Sequence, residues 1–361
     1  MSAARLKLLE RARPEILAMQ PYSSARMEAG NAKIMLNANE SPWAPAGSVD
    51  SNLNRYPDPQ PAALRARLAE LYGAVPEQLL LGRGSDEAID LLVRAFCSEG
   101  RDTIVVSPPT FGMYAVAART QGAAVVEAPL GAGFGLDAEA VLAKVTDSTK
   151  LVFVCTPNNP TGALVPLARI EDLAVALRDR ALVVVDEAYL EFAQGAASAT
   201  TLLARHDNIA VLRTLSKAYA LAGARVGTLI AHHEIVGLLR RIQAPYPLPA
   251  LCIDAALQAL SARGVAQAAE RVAILLDERG RLAAALPAAA GVLAVYLSAA
   301  NFLCVRFADS EKVYKVLIAL GIVVRDVSRY PGLAGCLRIT VGTPQENAAV
   351  LEALGLRQEA A

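Results

Sequence analysis

From residue 79 the chain alternates short apolar runs with stretches in which apolar residues recur at helical spacing. The runs lie at 79–81, 103–106, 123–126, 151–155, 181–185, 209–212 and 226–230. Several are apolar or β-branched at every position, so neither face of the strand meets water. Between them, Ile89, Leu92, Val93 and Phe96 fall on one helical face, and helices are predicted to about residue 121 and over 167–178. Strands buried on both faces and alternating with helices predict an α/β fold, a mostly parallel sheet between helical layers. In such sheets ligands bind beyond the carboxyl ends of the strands.

The flanking segments read differently. Residues 5–20 predict an amphipathic helix ended by Pro21, followed by turn-rich loops at 36–42 and 54–59 and a helix over 61–72. A long helical pattern covers 233–285. Beyond it, strands at 292–297 and 302–307, a helix over 310–320 and strands at 322–326 and 336–342 predict a smaller α+β unit. The expected division is an N-terminal helix and loop (1–45) packing with the small domain, a large ligand-binding domain (46–270) and the small C-terminal domain (271–361). Residues 282–305 carry no charge and are long enough to span a bilayer, but Pro287, Gly291, Ser298 and Asn301 interrupt them. Two buried strands are expected there instead. The first twenty residues lack the apolar core of a signal peptide.

Composition narrows the functions. The 361 residues include 35 Lys plus Arg and 35 Asp plus Glu, so no basic excess suggests nucleic acid and no membrane partner is expected. Five scattered cysteines form no C-x-x-C pair and suit a cytoplasmic protein with reduced thiols. His206, His232 and His233 have no metal-ligand spacing, so no metal is expected.

The polar residues at the strand ends carry the chemistry. Lys217 emerges just past the run 209–212. It is either a solvated surface lysine or one held against a cofactor, with its pKa lowered by burial and nearby charge. Gly84 and Ser85 open a helix after a strand, as an anion cup does, although an ordinary capped helix start reads the same way. The turn Thr156-Pro-Asn-Asn-Pro-Thr-Gly162 aims Asn159 as an amide donor. Asp186 ends an apolar strand, where a carboxylate needs a partner; a helix N-cap or a protonated ring nitrogen would serve. Tyr189 follows three residues later. Thr214, Ser216 and Arg225 flank Lys217 and suit a phosphate. Together with the ring of Phe111, these groups describe one ligand with a phosphate, a ring nitrogen, a ring hydroxyl and an aldehyde. That ligand is pyridoxal 5'-phosphate.

With these residues in view the chain resembles the fold-type I pyridoxal-phosphate aminotransferases, and among them the histidinol-phosphate aminotransferases. The matching motifs are LNANE (36–40), NRYPDP (54–59), GRGSDE (82–87), PPTFGMY (108–114), TPNNPTG (156–162), VVVDEAYLEF (183–192), RTLSKAYALAGARVG (213–227), ANFLCVRF (300–307) and LRITVGTPQEN (337–347). The resemblance implies that Lys217 bonds the cofactor, Asp186 pairs with its ring nitrogen, and Asn159 and Tyr189 hold its hydroxyl. It adds Asp86 to the cofactor contacts and implies a homodimer in which Tyr56 reaches the neighbouring subunit's cofactor phosphate. Arg338 and Arg325 would bind the substrate's anionic end, with Tyr22 and Asn39 as further substrate contacts. Phe111 stands where the family often has tyrosine, and Ala-Gly-Ala-Arg at 222–225 replaces the common Ala-Gly-Leu-Arg.

The implied activity is transamination between L-histidinol phosphate or imidazole acetol phosphate and glutamate or 2-oxoglutarate, a step of histidine biosynthesis. Lys217 would move the Cα proton. An aromatic amino-acid aminotransferase or a threonine-phosphate decarboxylase on the same frame remains open. A pyridoxal-phosphate-sensing transcription regulator would need a DNA-binding domain and a basic patch, neither of which the sequence provides.

Overall fold

The structure, a computed structural model, describes residues 6–22, 25, 34–47 and 52–356. Seven strands form the larger sheet: β1 (Leu79–Arg83), β2 (Thr103–Val106), β3 (Ala124–Glu127), β4 (Thr149–Cys155), β5 (Leu182–Asp186), β6 (Ile209–Thr214) and β7 (Val226–Ala231). Their order is β1-β7-β6-β5-β4-β2-β3. Strands β2 to β6 pair in parallel, while β7 runs antiparallel to both β6 and β1. The mostly parallel sheet expected from the apolar runs is thus present, with an antiparallel pair at one side.

Alternation along the strands shows why these runs are apolar throughout. Ile104, Leu151, Phe153, Leu182, Val184 and Leu212 join the core on one face, under helix Gly84–Phe96. Val105, Val152, Val154, Val183, Val185 and Val211 join the core on the other, under helix Leu167–Ala176. A period-two strand with helices on both sides needs an apolar residue at every position.

The smaller sheet has the order β10-β11-β9-β8, from β8 (Val292–Val295), β9 (Phe302–Phe307), β10 (Arg325–Asp326) and β11 (Cys336–Thr340). Helices Ser310–Ala319 and Ala262–Ala285 cover it, with Leu282, Leu303, Val305, Phe307, Leu337 and Ile339 in the core between. The uncharged stretch 282–305 is therefore a helix end, a turn and two strands. No helix of the described residues is long and apolar enough to cross a membrane.

Four expectations need correction. The N-terminal helix is two short pieces, Lys7–Arg11 and Pro14–Ala18, because Pro14 cannot continue the first and starts the second. Residues 6–22 do not pack with the smaller sheet: Leu8, Leu9, Ala12 and Ile16 enter the core of the larger one, and the Leu6 amide donates to Glu234 at 2.6 Å. The pattern over 233–285 is three helices, His233–Leu239, Ala250–Ala259 and Ala262–Ala285. Pro245, Pro247 and Pro249 separate the first two, and the Ser261 hydroxyl caps the third by accepting from Gly264 N. Of the strand expected over 322–326, only Arg325 and Asp326 pair. A final helix, Pro344–Ala353, was not anticipated, although Thr343 and Glu346 form its capping box.

Candidate active site

The carboxyl ends of β4, β5 and β6 meet the start of helix Gly84–Phe96 around a cavity of about 510 Å³. Arg325, Val327, Tyr330 and Arg338, from β10, β11 and the loop joining them, close it from the other side. The larger sheet thus supplies the floor and the smaller sheet one wall. The two are tied close by: Ala299 N donates to Gly162 O at 2.8 Å, and Arg279 donates to Phe192 O at 3.1 Å and Ala300 O at 2.8 Å.

Gly84 sits in the left-handed region (φ 75°), where a side chain would be strained, and a Cβ there would lie 2.8 Å from the Arg225 guanidinium. The backbone of Gly84 and Ser85 also presses on Gly227, where any Cβ would overlap it. These contacts bring the helix start, Ser85 and Arg225 together at one end of the cavity. Arg225 pairs with Asp86 at 3.0 Å. Thr214 and Ser216 share a hydroxyl hydrogen bond of 2.9 Å at the end of β6. Three side-chain hydroxyls, a guanidinium and a helix N-terminus are the donor set a phosphate requires.

The middle of the cavity differs. Asp186 is buried, and burial raises its pKa to about 6 despite the bonds that favour its charge. Those bonds come from the Tyr114 hydroxyl at 2.7 Å and from Ala188 N at 3.2 Å. Among the described residues no cationic side chain pairs with it. A buried carboxylate that receives only neutral donors suits a cationic ligand group, such as a protonated ring nitrogen. Tyr189 and Asn159 stand beside it, with Asn159 Nδ2 at 3.5 Å from Tyr189 Oη. The neighbouring Asn158 is structural, bonded to Pro109 O, Thr161 Oγ1 and Thr110 Oγ1 at 2.8 Å each.

Lys217 reaches into the cavity from the turn after β6, with its ammonium 5.5 Å from the centre of the Tyr189 ring. It opens to the cavity rather than being sealed from water, but the walls crowd the ammonium. Loss of hydration, then the charges of Arg338 and Arg225, lower its pKa; Asp86 and Asp186 act in the opposite direction. Arg338 donates to Asn159 Oδ1 and lies over the Phe302 ring at 5.3 Å. Arg325, its cross-strand partner, is more exposed.

The structure therefore gathers Gly84, Ser85, Asp86, Phe111, Asn159, Asp186, Tyr189, Thr214, Ser216, Lys217, Arg225, Arg325 and Arg338 around one cavity. It does not bring Tyr22, Asn39 or Tyr56 there within the chain. Tyr22 is 66% exposed beside Gln60, Arg240 and Gln243. Asn39 and Tyr56 line a separate groove, where Tyr56 stacks on Tyr246 with centroids 4.4 Å apart. Sequence reasoning missed Tyr114, Cys155 and Tyr330. Tyr114 stands three residues after Phe111, but nothing in the sequence names the partner of its hydroxyl. The two rings meet edge to face at 5.6 Å.

A family model described as "Aminotransferase class I and II" matches residues 33–354. The chain is 55% identical over 354 residues to the histidinol-phosphate aminotransferase of Stenotrophomonas maltophilia (strain R551-3), covering 97% of each chain. It is 54% identical over 358 residues to that of Xanthomonas campestris pv. campestris (strain 8004), covering 98% of this chain and 99% of the relative. Among solved structures, the histidinol-phosphate aminotransferase of Sinorhizobium meliloti in complex with pyridoxal-5'-phosphate superposes with a TM-score of 0.75 at 26% identity, over 95% of this chain and 97% of that one. With the family model spanning nearly the whole chain and the relatives more than half identical, the chain belongs to the class I and II aminotransferases.

Proposed function

We propose that this protein is a pyridoxal-phosphate-dependent histidinol-phosphate aminotransferase, exchanging the amino group between L-histidinol phosphate and 2-oxoglutarate in histidine biosynthesis. The observation that carries the chemistry is one cavity holding Lys217, Asp186 without a cationic partner, and three arginines, Arg225, Arg325 and Arg338. The substrate rests on near-full-length identity to enzymes of that name.

Ser85, Thr214, Ser216 and Arg225 would hold the cofactor phosphate, with Asp86 fixing Arg225. Asp186 would face the ring nitrogen, Asn159 and Tyr189 the ring hydroxyl, and Phe111 the ring face. When bound, the cofactor supplies an electron-withdrawing ring that stabilises the charge left as the substrate's Cα proton departs. Lys217 takes that proton and returns it, a role that crowding by the cavity walls and the charges of Arg338 and Arg225 favour by lowering its pKa. Arg338 meets the anionic end of both substrates, because a guanidinium fits carboxylate and phosphate alike. Arg325 stands next to it across the strand pair.

The working unit in this reading is a cytoplasmic homodimer. The smaller unit begins near residue 271, within helix Ala262–Ala285, and Tyr56 serves the neighbouring subunit. Exposure of Tyr56 outside its own chain's cavity supports that last role.

Steady-state kinetics with histidinol phosphate, phenylalanine, tyrosine and threonine phosphate test the proposal. Histidinol phosphate should have the highest kcat/KM, with 2-oxoglutarate consumed. Release of carbon dioxide from threonine phosphate, or preference for a free aromatic amino acid, would overturn it. Arg338→Ala should raise KM for histidinol phosphate and glutamate alike, by roughly 10- to 100-fold for a lost charge-assisted contact. A response from only one substrate would refute the shared anion contact.

A further inference from the structure

Asp186 has two buried oxygens and a neutral donor on each. Ala188 N, two residues on, bonds Oδ1 at 3.2 Å. The Tyr114 hydroxyl bonds Oδ2 at 2.7 Å from helix Met113–Thr120. The first contact comes with the turn after β5. The second is a choice of side chain, and its setting is closely specified. Tyr114 is fully buried, its ring stacks on Phe153 with centroids 4.6 Å apart, and Phe111 meets its edge at 5.6 Å. Two aromatic contacts and a floor of β4 hold the ring so that its hydroxyl meets Asp186, with the neutral Cys155 thiol beside it.

The other groups around Asp186 oppose its charge or contribute none. Asp86 and Glu187 are like charges. The Cys155 thiol, paired with Asp186 across β4 and β5, is pushed up to about 12 by burial and is neutral. Burial holds the Tyr114 and Tyr189 phenols above the usual range, so both are neutral donors as well. The exception is Lys217, across the cavity, whose charge favours that of Asp186 without forming an ion pair with it.

We infer that Tyr114 is a positioning residue that acts through Asp186, keeping its carboxylate charged and turned so that a ring nitrogen in the cavity holds its proton. This rests on the reading that a pyridine-type cofactor occupies the cavity. Without the hydroxyl, Asp186 keeps one backbone donor against the same burial and the same like charges. Its proton affinity rises, and the proton shared with the ring moves toward the carboxyl. The charge-assisted contact is then replaced by a weaker neutral one.

The test measures affinity for pyridoxamine phosphate, which carries an amine in place of the aldehyde and is held without a bond to Lys217. The comparison ligand is its analogue with carbon in place of the ring nitrogen. Tyr114→Phe keeps the ring and both aromatic contacts. It should weaken pyridoxamine phosphate about tenfold near neutral pH, the scale of a lost hydrogen bond to a charged group, and leave the carbon analogue within about twofold. The pH below which pyridoxamine phosphate affinity falls should move upward in the variant. Tyr114→His, which returns a ring N–H, should recover part of the loss and serves as the probe if the Phe variant does not fold. Equal weakening of both ligands would show Tyr114 to be packing alone and overturn the inference. Unchanged affinity for both would do the same. Failure of the unmutated protein to bind pyridoxamine phosphate would instead overturn the cofactor reading on which the inference stands.

Discussion

Lysine usually stays in water because its ammonium loses hydration on burial. Lys217 is held where that loss and two arginines favour the neutral amine, while Asp86 and Asp186 favour the charge. A nucleophile and proton carrier needs such a balance. Lys217→Ala should abolish turnover and the covalent cofactor link, read as the visible absorbance of the holoenzyme, while leaving the thermal midpoint of the cofactor-free protein nearly unchanged. Retained turnover would remove Lys217 from the mechanism. Asp186 gives a pH prediction whose sign is fixed by its pKa, raised to about 6 by burial. The neutral carboxyl prefers the folded chain. Its contribution is therefore complete below the ordinary carboxylate pKa and is lost as pH rises through about 6. The magnitude is on the order of 2–3 kcal/mol. In cofactor-free protein, the stability of the unmutated chain relative to Asp186→Asn should fall between pH 4 and pH 7, measured by denaturant midpoints. A flat difference would mean that Asp186 is not sealed from water.

At the scale of elements, the strand ends are braced beneath the cavity by a buried ion network. Arg213, the residue before Thr214, donates to Glu187 at 3.0 Å and Glu191 at 2.7 Å, and lies over the Tyr72 ring at 4.7 Å. Glu187 follows Asp186 directly and also accepts from Ser198 Oγ and Ala199 N, each at 2.6 Å. The network therefore joins the ends of β5 and β6, the strands that deliver Asp186 and Thr214. Arg213→Ala strands Glu187 without a cation and should destabilise the protein by about 3–5 kcal/mol. Arg169→Ala, at an exposed pair, should cost under about 1 kcal/mol by the same denaturant measurement. Comparable losses would mean that the network is not isolated from solvent. This level also shows what the sequence could reveal. Runs apolar at every residue identified β2, β4, β5 and β6, because only a sheet covered on both faces needs them. Motif residues at those strand ends placed Lys217, Asp186 and Asn159 on one cavity. Tyr114 and the Arg213 network stayed hidden, since a tyrosine in a helix and an arginine in a strand state no partner until the fold brings it near. The N-terminal segment was misplaced for a similar reason: amphipathic spacing gives a face to bury but not the surface it meets.

For the whole molecule, one chain assembles every proposed cofactor contact except Tyr56, which lies in a different groove and stacks on Tyr246. A second copy would supply that contact, and mixing two inactive variants decides the matter. Lys217→Ala lacks the nucleophile but retains Tyr56. Tyr56→Ala weakens the partner's phosphate contact but retains Lys217. In a mixed dimer of shared sites, the site built on the Tyr56→Ala subunit's own Lys217 receives Tyr56 from the Lys217→Ala subunit and is intact, while the other site carries both defects. Random reassortment of equal amounts makes about half the dimers mixed, each with one intact site, so activity should return to roughly a quarter of the unmutated value. If Tyr56 served its own subunit, every site in the mixture would lack one group or the other and no activity would return.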